Sequence, residues 1–187
     1  MIVLVQRVLI FLLLAWASVS LGQAPETDFS PDEVLEQFVG RWQGSATARF
    51  PRRPERALRQ ESVVADCKKA LKATYVECRS QWTSTEGAIR ELRMFWNFHP
   101  SEGQFEILYL YDNWPGKVQY LLEYDAEART LTGRDSFEGP GGIAAEEVVT
   151  WQFAEDGQSI KSSEQNHYVT DPDDYWPTTF EFTWRRQ

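Results

Sequence analysis

The sequence predicts an all-β protein in which about ten antiparallel strands close into an up-and-down barrel behind a short N-terminal helix. Apolar and polar residues alternate over most of the chain, and turn residues interrupt this alternation about every ten residues. No later helical segment is long enough for a crossover between parallel strands. A barrel also leaves no free sheet edge, which suits a chain rich in aromatic residues. A two-sheet sandwich is the alternative architecture.

The first element is an apolar leader. Residues 2–14 are almost wholly apolar, with only Gln6 and Arg7 interrupting them, and they run into the small-residue stretch 15–22. This pattern is typical of a secretory signal peptide. Its apolar core is shorter than the roughly 20 residues that a membrane-spanning helix needs. An uncleaved amphipathic or anchoring helix is the alternative interpretation.

We therefore expect an exported protein, either periplasmic or secreted, that does not insert into a membrane after its leader is removed. The signal peptide is predicted over residues 1–22, with cleavage after Gly22 or after Ala17. Residues 23–187 are then expected to form a single domain, because their number suits one hydrophobic core.

A helix start follows a short polar segment. Ser30 suits the N-cap, Pro31 suits the first helical position, and Glu33 completes a Ser-x-x-Glu capping box. These residues predict a helix over 31–38, which Gly40 ends. A short amphipathic helix at this position is expected to close one end of the barrel.

Ten strands are predicted from the alternation that follows the helix. Their separators contain the Gly, Pro, Asn and Asp residues that turns require. The predicted strands cover residues 41–49, 57–67, 73–83, 89–99, 104–111, 117–124, 130–137, 146–153, 159–169 and 179–186.

Strand phase indicates which side chains face the interior, because alternate residues of a strand point to opposite faces. Several strands carry aromatic and aliphatic residues on one face. We expect them to line a cavity that holds a small apolar or amphipathic molecule, since ligand sites in barrels are concave and mostly apolar. The candidate ligand-binding residues, chosen from strand phase alone, are Tyr109, Tyr120, Trp151 and Phe182.

The chain contains two cysteines, Cys67 and Cys78. They flank a turn-like segment, 68–72, and an exported protein meets an oxidising environment. We therefore predict a disulfide across a hairpin. A redox-active pair is the alternative, although the spacing differs from Cys-x-x-Cys.

The net charge of the chain and the absence of two catalytic motifs limit the classes of function that the sequence supports. With 28 acidic against 19 basic residues the net charge is −9, which disfavours nucleic acid as a partner. The sequence has no Gly-x-Ser-x-Gly elbow and no His-Glu-x-x-His helix. We accordingly expect a non-enzymatic protein and predict no catalytic residue, metal site or cofactor.

The segment Phe38-Val39-Gly40-Arg41-Trp42-Gln43-Gly44 resembles the opening of calycin barrels, which include the lipocalins and the fatty-acid-binding proteins. The final strand carries Arg185 and Arg186 where calycins place an arginine across that first tryptophan. Within the superfamily the chain is most similar to bacterial exported proteins with a calycin-like domain of unknown function. Arg186 shares the apolar face of its strand, so we predict that Trp42 and Arg186 form a barrel-closing cation–π pair.

The same opening also resembles the nitrobindins, ten-stranded haem barrels with an axial histidine late in the chain. That resemblance gives an alternative function, haem binding through His167. Two features depart from it: Ala46 replaces a third glycine, and His167 is in phase with polar residues. A second alternative is a structural or envelope-interaction protein whose barrel is filled and whose acidic surface makes the contacts.

Overall fold

The computed structural model describes residues 28–53, 55–139 and 141–187, and in this part the chain forms one helix and ten strands. The predicted signal peptide and its cleavage sites lie outside the described residues. The helix is α1 (Pro31–Glu36), and the strands are β1 (Gly40–Ala48), β2 (Arg59–Ala70), β3 (Tyr75–Ser84), β4 (Ile89–His99), β5 (Gln104–Tyr111), β6 (Trp114–Asp125), β7 (Thr130–Glu138), β8 (Ala144–Phe153), β9 (Ser159–Tyr168) and β10 (Thr178–Arg186).

The strands form a closed antiparallel barrel in which each strand pairs with the next along the chain. β1 closes the circle against β10, with Trp42 opposite Arg186. The predicted up-and-down barrel is therefore confirmed, and the sandwich alternative is wrong. The pairing between β6 and β7 is short: it runs only from Leu122 opposite Gly133 to Asp125 opposite Thr130.

Helix α1 begins as its sequence predicts and ends earlier. The Ser30 hydroxyl accepts a hydrogen bond from the Glu33 amide at 3.4 Å, which satisfies one of the free donors at a helix start. The helix ends at Glu36 instead of residue 38, because tighter i→i+3 bonds such as Phe38 N–H to Leu35 O take over. Its buried residues, Val34 and Leu35, join the barrel core.

The Gly-x-Trp-x-Gly segment has a steric explanation. Gly40 has φ +138°, and a Cβ there would lie 2.5 Å from Nη1 of Arg186. A Cβ on Gly44 would lie 1.8 Å from the carbonyl oxygen of Thr183, so only glycine lets β10 approach β1 this closely. The two glycines therefore allow the first and last strands to meet around Trp42.

The interior of the barrel differs between its two ends. We call the end beneath α1 the packed end: its side chains, Phe38, Trp42, Trp96, Trp151, Phe153 and Trp184, are each at most 3% exposed. The rings interlock, with 3.9 Å between the centroids of Phe38 and Trp96 and 4.6 Å between those of Trp96 and Trp151. We call the opposite end, where the loops after β1, β3, β5, β7 and β9 emerge, the open end.

The predicted disulfide is confirmed: Cys67 on β2 bonds to Cys78 directly opposite it on β3. Both residues are buried in the core. Closing so short a hairpin is expected to stabilise the fold by about 3 kcal/mol through the restricted unfolded chain. A structural bond in the core, with no free cysteine in the described residues, gives no support to the redox alternative.

Candidate functional site

The open end contains a cavity inside the barrel. Its inner part, which we call the inner cavity, has a volume of about 160 Å³. It meets a wider space of about 650 Å³, which we call the outer opening, and both are bordered by Arg59, Glu164 and Phe180. The apolar and aromatic wall of the inner cavity comprises Trp82, Leu92, Met94, Tyr109, Tyr111, Phe180 and Phe182.

Glu164 lies at the boundary between the inner cavity and the outer opening. It belongs to the interior face of β9, in phase with the buried residues Ile160 and Ser162. No described residue gives its carboxyl group a hydrogen bond or an ion pair. Burial, with a smaller contribution from the negative charge of Glu147, raises the pKa of Glu164 to about 8, while Arg90 opposes the rise. Glu164 is therefore mostly protonated at neutral pH.

Glu147 is the second interior carboxyl group. It lies on β8 in phase with the buried Val149 and Trp151, and it accepts a hydrogen bond from the hydroxyl of Tyr120. Burial raises the pKa of Glu147, the hydrogen bond from Tyr120 lowers it, and the charge of Asp135 adds to the rise. The same Tyr120 hydroxyl has its own pKa raised by burial and by Glu147, so it stays a neutral donor.

Arg90 and Glu61 form a bidentate ion pair across the interior. The Nε–Oε1 distance is 2.9 Å and the Nη2–Oε2 distance is 2.7 Å. Burial acts to raise the pKa of Glu61, but the hydrogen bonds and charge of Arg90 outweigh it and hold that pKa below its usual value. The guanidinium also lies 4.6 Å above the ring of Trp82. Arg90 is thus oriented on two sides by the protein itself.

Five arginines border the outer opening, and most of them have partners. Arg49 pairs with Glu181, and Arg52 pairs with Asp171. Arg59 places Nε 3.7 Å from the Glu61 carboxylate. The remaining two, Arg53 and Arg56, make no ion pair with any residue that the structure describes; Arg56 lies 4.0 Å from the ring centroid of Phe50.

The structure places three of the four sequence-predicted ligand-binding residues at the open end. Tyr109 and Phe182 line the inner cavity, and Tyr120 lies edge-on to Tyr109 with 6.1 Å between ring centroids. Trp151 instead packs beneath the cavity, where its ring contacts Phe182 at 4.8 Å and none of its surface is exposed. Ligand contact by any of these residues stays a prediction.

Trp42 and Arg186 lie at the packed end, away from the cavity. The Arg186 guanidinium carbon is 4.4 Å from the Trp42 ring centroid. The guanidinium also donates to the carbonyl oxygens of Val39 at 2.5 Å and Gln37 at 3.2 Å, while the Trp42 indole N–H donates to Phe38 O at 2.7 Å. These bonds tie the segment after α1 to both ends of the sheet.

His167 does not face the barrel interior. Interior residues of β9 have even numbers, and His167 lies on the outer face, where its ring stacks on Trp176 at 4.8 Å. An axial ligand for a haem inside the barrel must point inward, so this residue does not fit that group. Within the described ranges, no cluster of three His, Cys, Asp or Glu side chains is arranged to hold a metal ion.

The sequence did not lead us to predict Glu147 and Glu164 as site residues, although the pattern around Glu147 indicates an interior carboxylate. Glu147 interrupts an apolar face that continues through Val149 and Trp151, and a charged residue in that phase indicates an interior carboxylate. Glu164 had no such signal. Both faces of β9 are polar over this stretch, since Ser162 and Glu164 alternate with Ser163 and other hydrophilic residues.

The fold and this site define a small, closed ten-stranded barrel that is packed with aromatic rings at one end. At its other end it is open, with an aromatic cavity, the interior carboxyl groups of Glu147 and Glu164, and arginines around the opening. No family model matches the chain, and no curated protein matches it. Among solved structures, it is similar to a de novo designed fluorescence-activating β-barrel, with 12% identity, coverage of 82% of this chain and 97% of the designed chain, and a TM-score of 0.43. Membership of the calycins therefore stays a prediction.

Proposed function

We propose that this protein is an exported, non-enzymatic binding protein that holds one small amphipathic molecule in the open end of its barrel. The observation that carries this proposal is the inner cavity, whose aromatic wall meets the unpaired carboxyl group of Glu164 at the outer opening. An apolar wall with a polar group at its boundary matches a ligand that has one apolar end and one polar end.

The size of the inner cavity supports a compact apolar body. A dry cavity of roughly 150 Å³ in another protein accommodates benzene, and the inner cavity is about 160 Å³. One ring or a short branched chain therefore fits inside it. The polar end of such a molecule would then lie in the outer opening, where water remains accessible.

The filled-barrel alternative fits only half of the molecule. The packed end is filled by interlocking rings, but the open end keeps an internal volume and buries polar groups that a purely structural core would replace with apolar ones.

Export is supported by the predicted leader and by the disulfide, which forms in oxidising compartments. No helix in the described residues has the length and apolar character to cross a membrane.

The proposal is tested with a substitution that fills the inner cavity and a control substitution that does not. Leu92→Trp adds an indole to the wall of the inner cavity, and Glu91→Trp adds the same group one residue away on the outer face. Isothermal titration calorimetry with one-ring alcohols and amines should show binding to wild type and to Glu91→Trp. We expect at least tenfold weaker binding to Leu92→Trp.

A smaller substitution, Leu92→Phe, keeps the test informative if the larger indole prevents folding. Each variant is first checked for a dispersed two-dimensional NMR spectrum. Equal affinities for wild type and for the folded cavity-filling variants would overturn the proposal. So would a wild-type protein that binds none of the compounds and yields no co-purified small molecule on extraction.

A further inference from the structure

We propose that the bound molecule is an organic cation, whose positively charged nitrogen lies against Glu147 and Glu164 while its apolar body occupies the inner cavity. This inference rests on the proposed function and adds the chemical class of the ligand. The register of two neighbouring strands, the charge balance of the interior and the aromatic wall support it independently.

The register brings the two carboxyl groups together. Glu164 on β9 lies opposite Val149 on β8, and Glu147 lies opposite Asn166. The two glutamates are therefore diagonal neighbours on the interior face, within reach of one another's side chains. Both border the outer opening, and Glu164 also borders the inner cavity. A cation at that boundary can contact both.

The charges inside the open end are compatible with one bound cation. Arg90 and Arg59 both form ion pairs with Glu61, and Glu147 has only neutral hydrogen-bond partners. The carboxyl group of Glu164 has no ion-pair or hydrogen-bond partner among the described residues. With Glu164 protonated, two carboxylates balance two guanidiniums. Ionised Glu164 leaves one uncompensated negative charge, which a monovalent cation neutralises. The charged or titratable groups that act on Glu164 or border the same cavities are Arg49, Arg52, Arg53, Arg56, Arg59, Arg90, Tyr109, Tyr111, Tyr120, Glu147 and Tyr168.

The wall of the inner cavity suits a cation attached to an apolar body. Tyr109 and Tyr111 lie nearly parallel with 6.4 Å between ring centroids, and Tyr120 stands edge-on to Tyr109. Burial keeps these hydroxyls neutral by raising their pKa values, to about 12 for Tyr111. Neutral tyrosine rings attract quaternary and protonated amines through their electron-rich faces.

Ser162 provides a second unpartnered polar group on the same face. It is 5% exposed, lies two residues before Glu164 on the interior face of β9, and its hydroxyl has no hydrogen-bond partner in the described structure. Buried polar groups are nearly always hydrogen-bonded in folded proteins. The interior of β9 therefore keeps donors and acceptors that the protein itself does not satisfy.

Binding of a permanent cation should release the proton of Glu164. The carboxyl group is mostly protonated at neutral pH, and a cation beside it favours the ionised form, so the proton passes to solvent. Affinity for the cation should rise with pH until Glu164 is ionised in the free protein. For a pKa near 8, the ionised fraction and hence the affinity rise roughly tenfold between pH 7 and pH 9.

The arginines of the outer opening do not reverse this preference. Arg49 and Arg52 are neutralised by Glu181 and Asp171. Arg53 and Arg56 are exposed, and solvent screens exposed charges beyond about 8 Å at physiological ionic strength. If these two arginines instead selected the ligand, an anion would bind best, and the experiment includes that outcome.

The experiment compares three one-ring probes by calorimetry: benzyltrimethylammonium, benzyl alcohol and phenylacetate. The quaternary ammonium does not titrate, so any pH dependence belongs to the protein. We expect the cation to bind at least tenfold more tightly than the alcohol at pH 9, with a smaller advantage at pH 7. Titrations in buffers of different ionisation enthalpy should show release of about one proton at pH 7.

Two matched variants assign the effect to the interior carboxyl group. Glu164→Gln should remove the preference for the cation and its pH dependence, so that the cation and benzyl alcohol bind with similar affinities at both pH values. Glu146→Gln changes the same chemical group on the outer face of β8 and should behave as wild type. Both substitutions are conservative in shape, and retained binding of the alcohol shows that the cavity is intact.

The outcomes separate this inference from the proposed function. If the alcohol or phenylacetate binds better than the cation, or if Glu164→Gln keeps the cation preference, the inference is wrong while the barrel remains a binding protein. If none of the probes binds to wild type at either pH, both the inference and the proposed function fail.

Discussion

The same ten strands form both ends of the barrel, but the interior side chains at the two ends differ in chemistry and packing. At the packed end, four tryptophans and two phenylalanines fill the interior, and a disulfide joins β2 to β3. At the open end the same strands carry Glu61, Arg90, Glu147 and Glu164 on their interior faces, beside an unfilled volume. On β8, for example, the interior face changes from the carboxyl group of Glu147 to the buried indole of Trp151 within four residues.

This difference indicates that the packed end contributes more to the free energy of unfolding than the open end does. Close-packed aromatic rings contribute both buried apolar area and ring–ring attraction. Buried carboxyl groups cost free energy unless they are paired, and Glu164 has no partner among the described residues. An end that sacrifices stability in this way is the one expected to carry the function.

The largest expected effect comes from breaking the packed end. Trp151→Ala removes a fully buried indole that contacts Trp96, Phe182 and Trp184. Such truncations typically cost about 3–5 kcal/mol, and urea unfolding should show this loss. Tyr111→Phe, at the open end, should cost less than about 1.5 kcal/mol by the same measurement. Equal losses would contradict the division of the barrel into two ends.

The second prediction concerns the pH dependence of stability at the open end. Since the pKa of Glu164 is about 8 in the folded protein and near 4.3 when unfolded, the folded state binds the extra proton between these values. Stability should therefore fall as pH rises from about 5 to 8, by at most about 1.4 kcal/mol per pH unit from this residue.

Glu164→Gln should flatten this decline and make the protein more stable than wild type at pH 8. Glu146→Gln, on the outer face, should leave the decline unchanged. Urea unfolding at several pH values measures both variants. A wild-type stability that rises steadily from pH 5 to pH 8, with no difference in Glu164→Gln, would show that the carboxyl group is ionised in the folded protein.

The third prediction has the smallest expected effect and concerns the contact between Trp42 and Arg186 at the packed end. Trp42 and Arg186 are in cation–π contact at 4.4 Å, and such contacts contribute about 0.5–2 kcal/mol. A double-mutant cycle with Trp42→Ala and Arg186→Ala should give a coupling energy in this range. Simple additivity would mean that the backbone hydrogen bonds of Arg186 account for its whole contribution.

The packed end was readily predictable from sequence, because its signals are local and periodic. The Gly-x-Trp-x-Gly segment, the cysteine pair and the shared phase of Trp184 and Arg186 each indicate their own placement. Strand order followed from the absence of crossovers. The early end of α1 was not predictable, since capping residues define where a helix begins better than where it ends.

The open end was predicted less well for a physical reason. Whether an interior volume is filled depends on how side chains from several strands meet, and strand phase cannot distinguish Trp151 below the cavity from Phe182 on its wall. Glu164 lies on a strand with two polar faces, so only barrel closure shows which face is inside. The identity of the site therefore depends on contacts between residues far apart in sequence.

The distribution of indole rings has a practical consequence for spectroscopy. Trp82 borders the inner cavity beneath the guanidinium of Arg90, whereas Trp96 and Trp151 lie 4.6 Å apart in the packed end. Rings this close couple their electronic transitions and should give a strong near-ultraviolet circular dichroism band that reports global unfolding. Changes in the emission of Trp82 would instead report occupancy, so the two processes carry separate intrinsic optical signals.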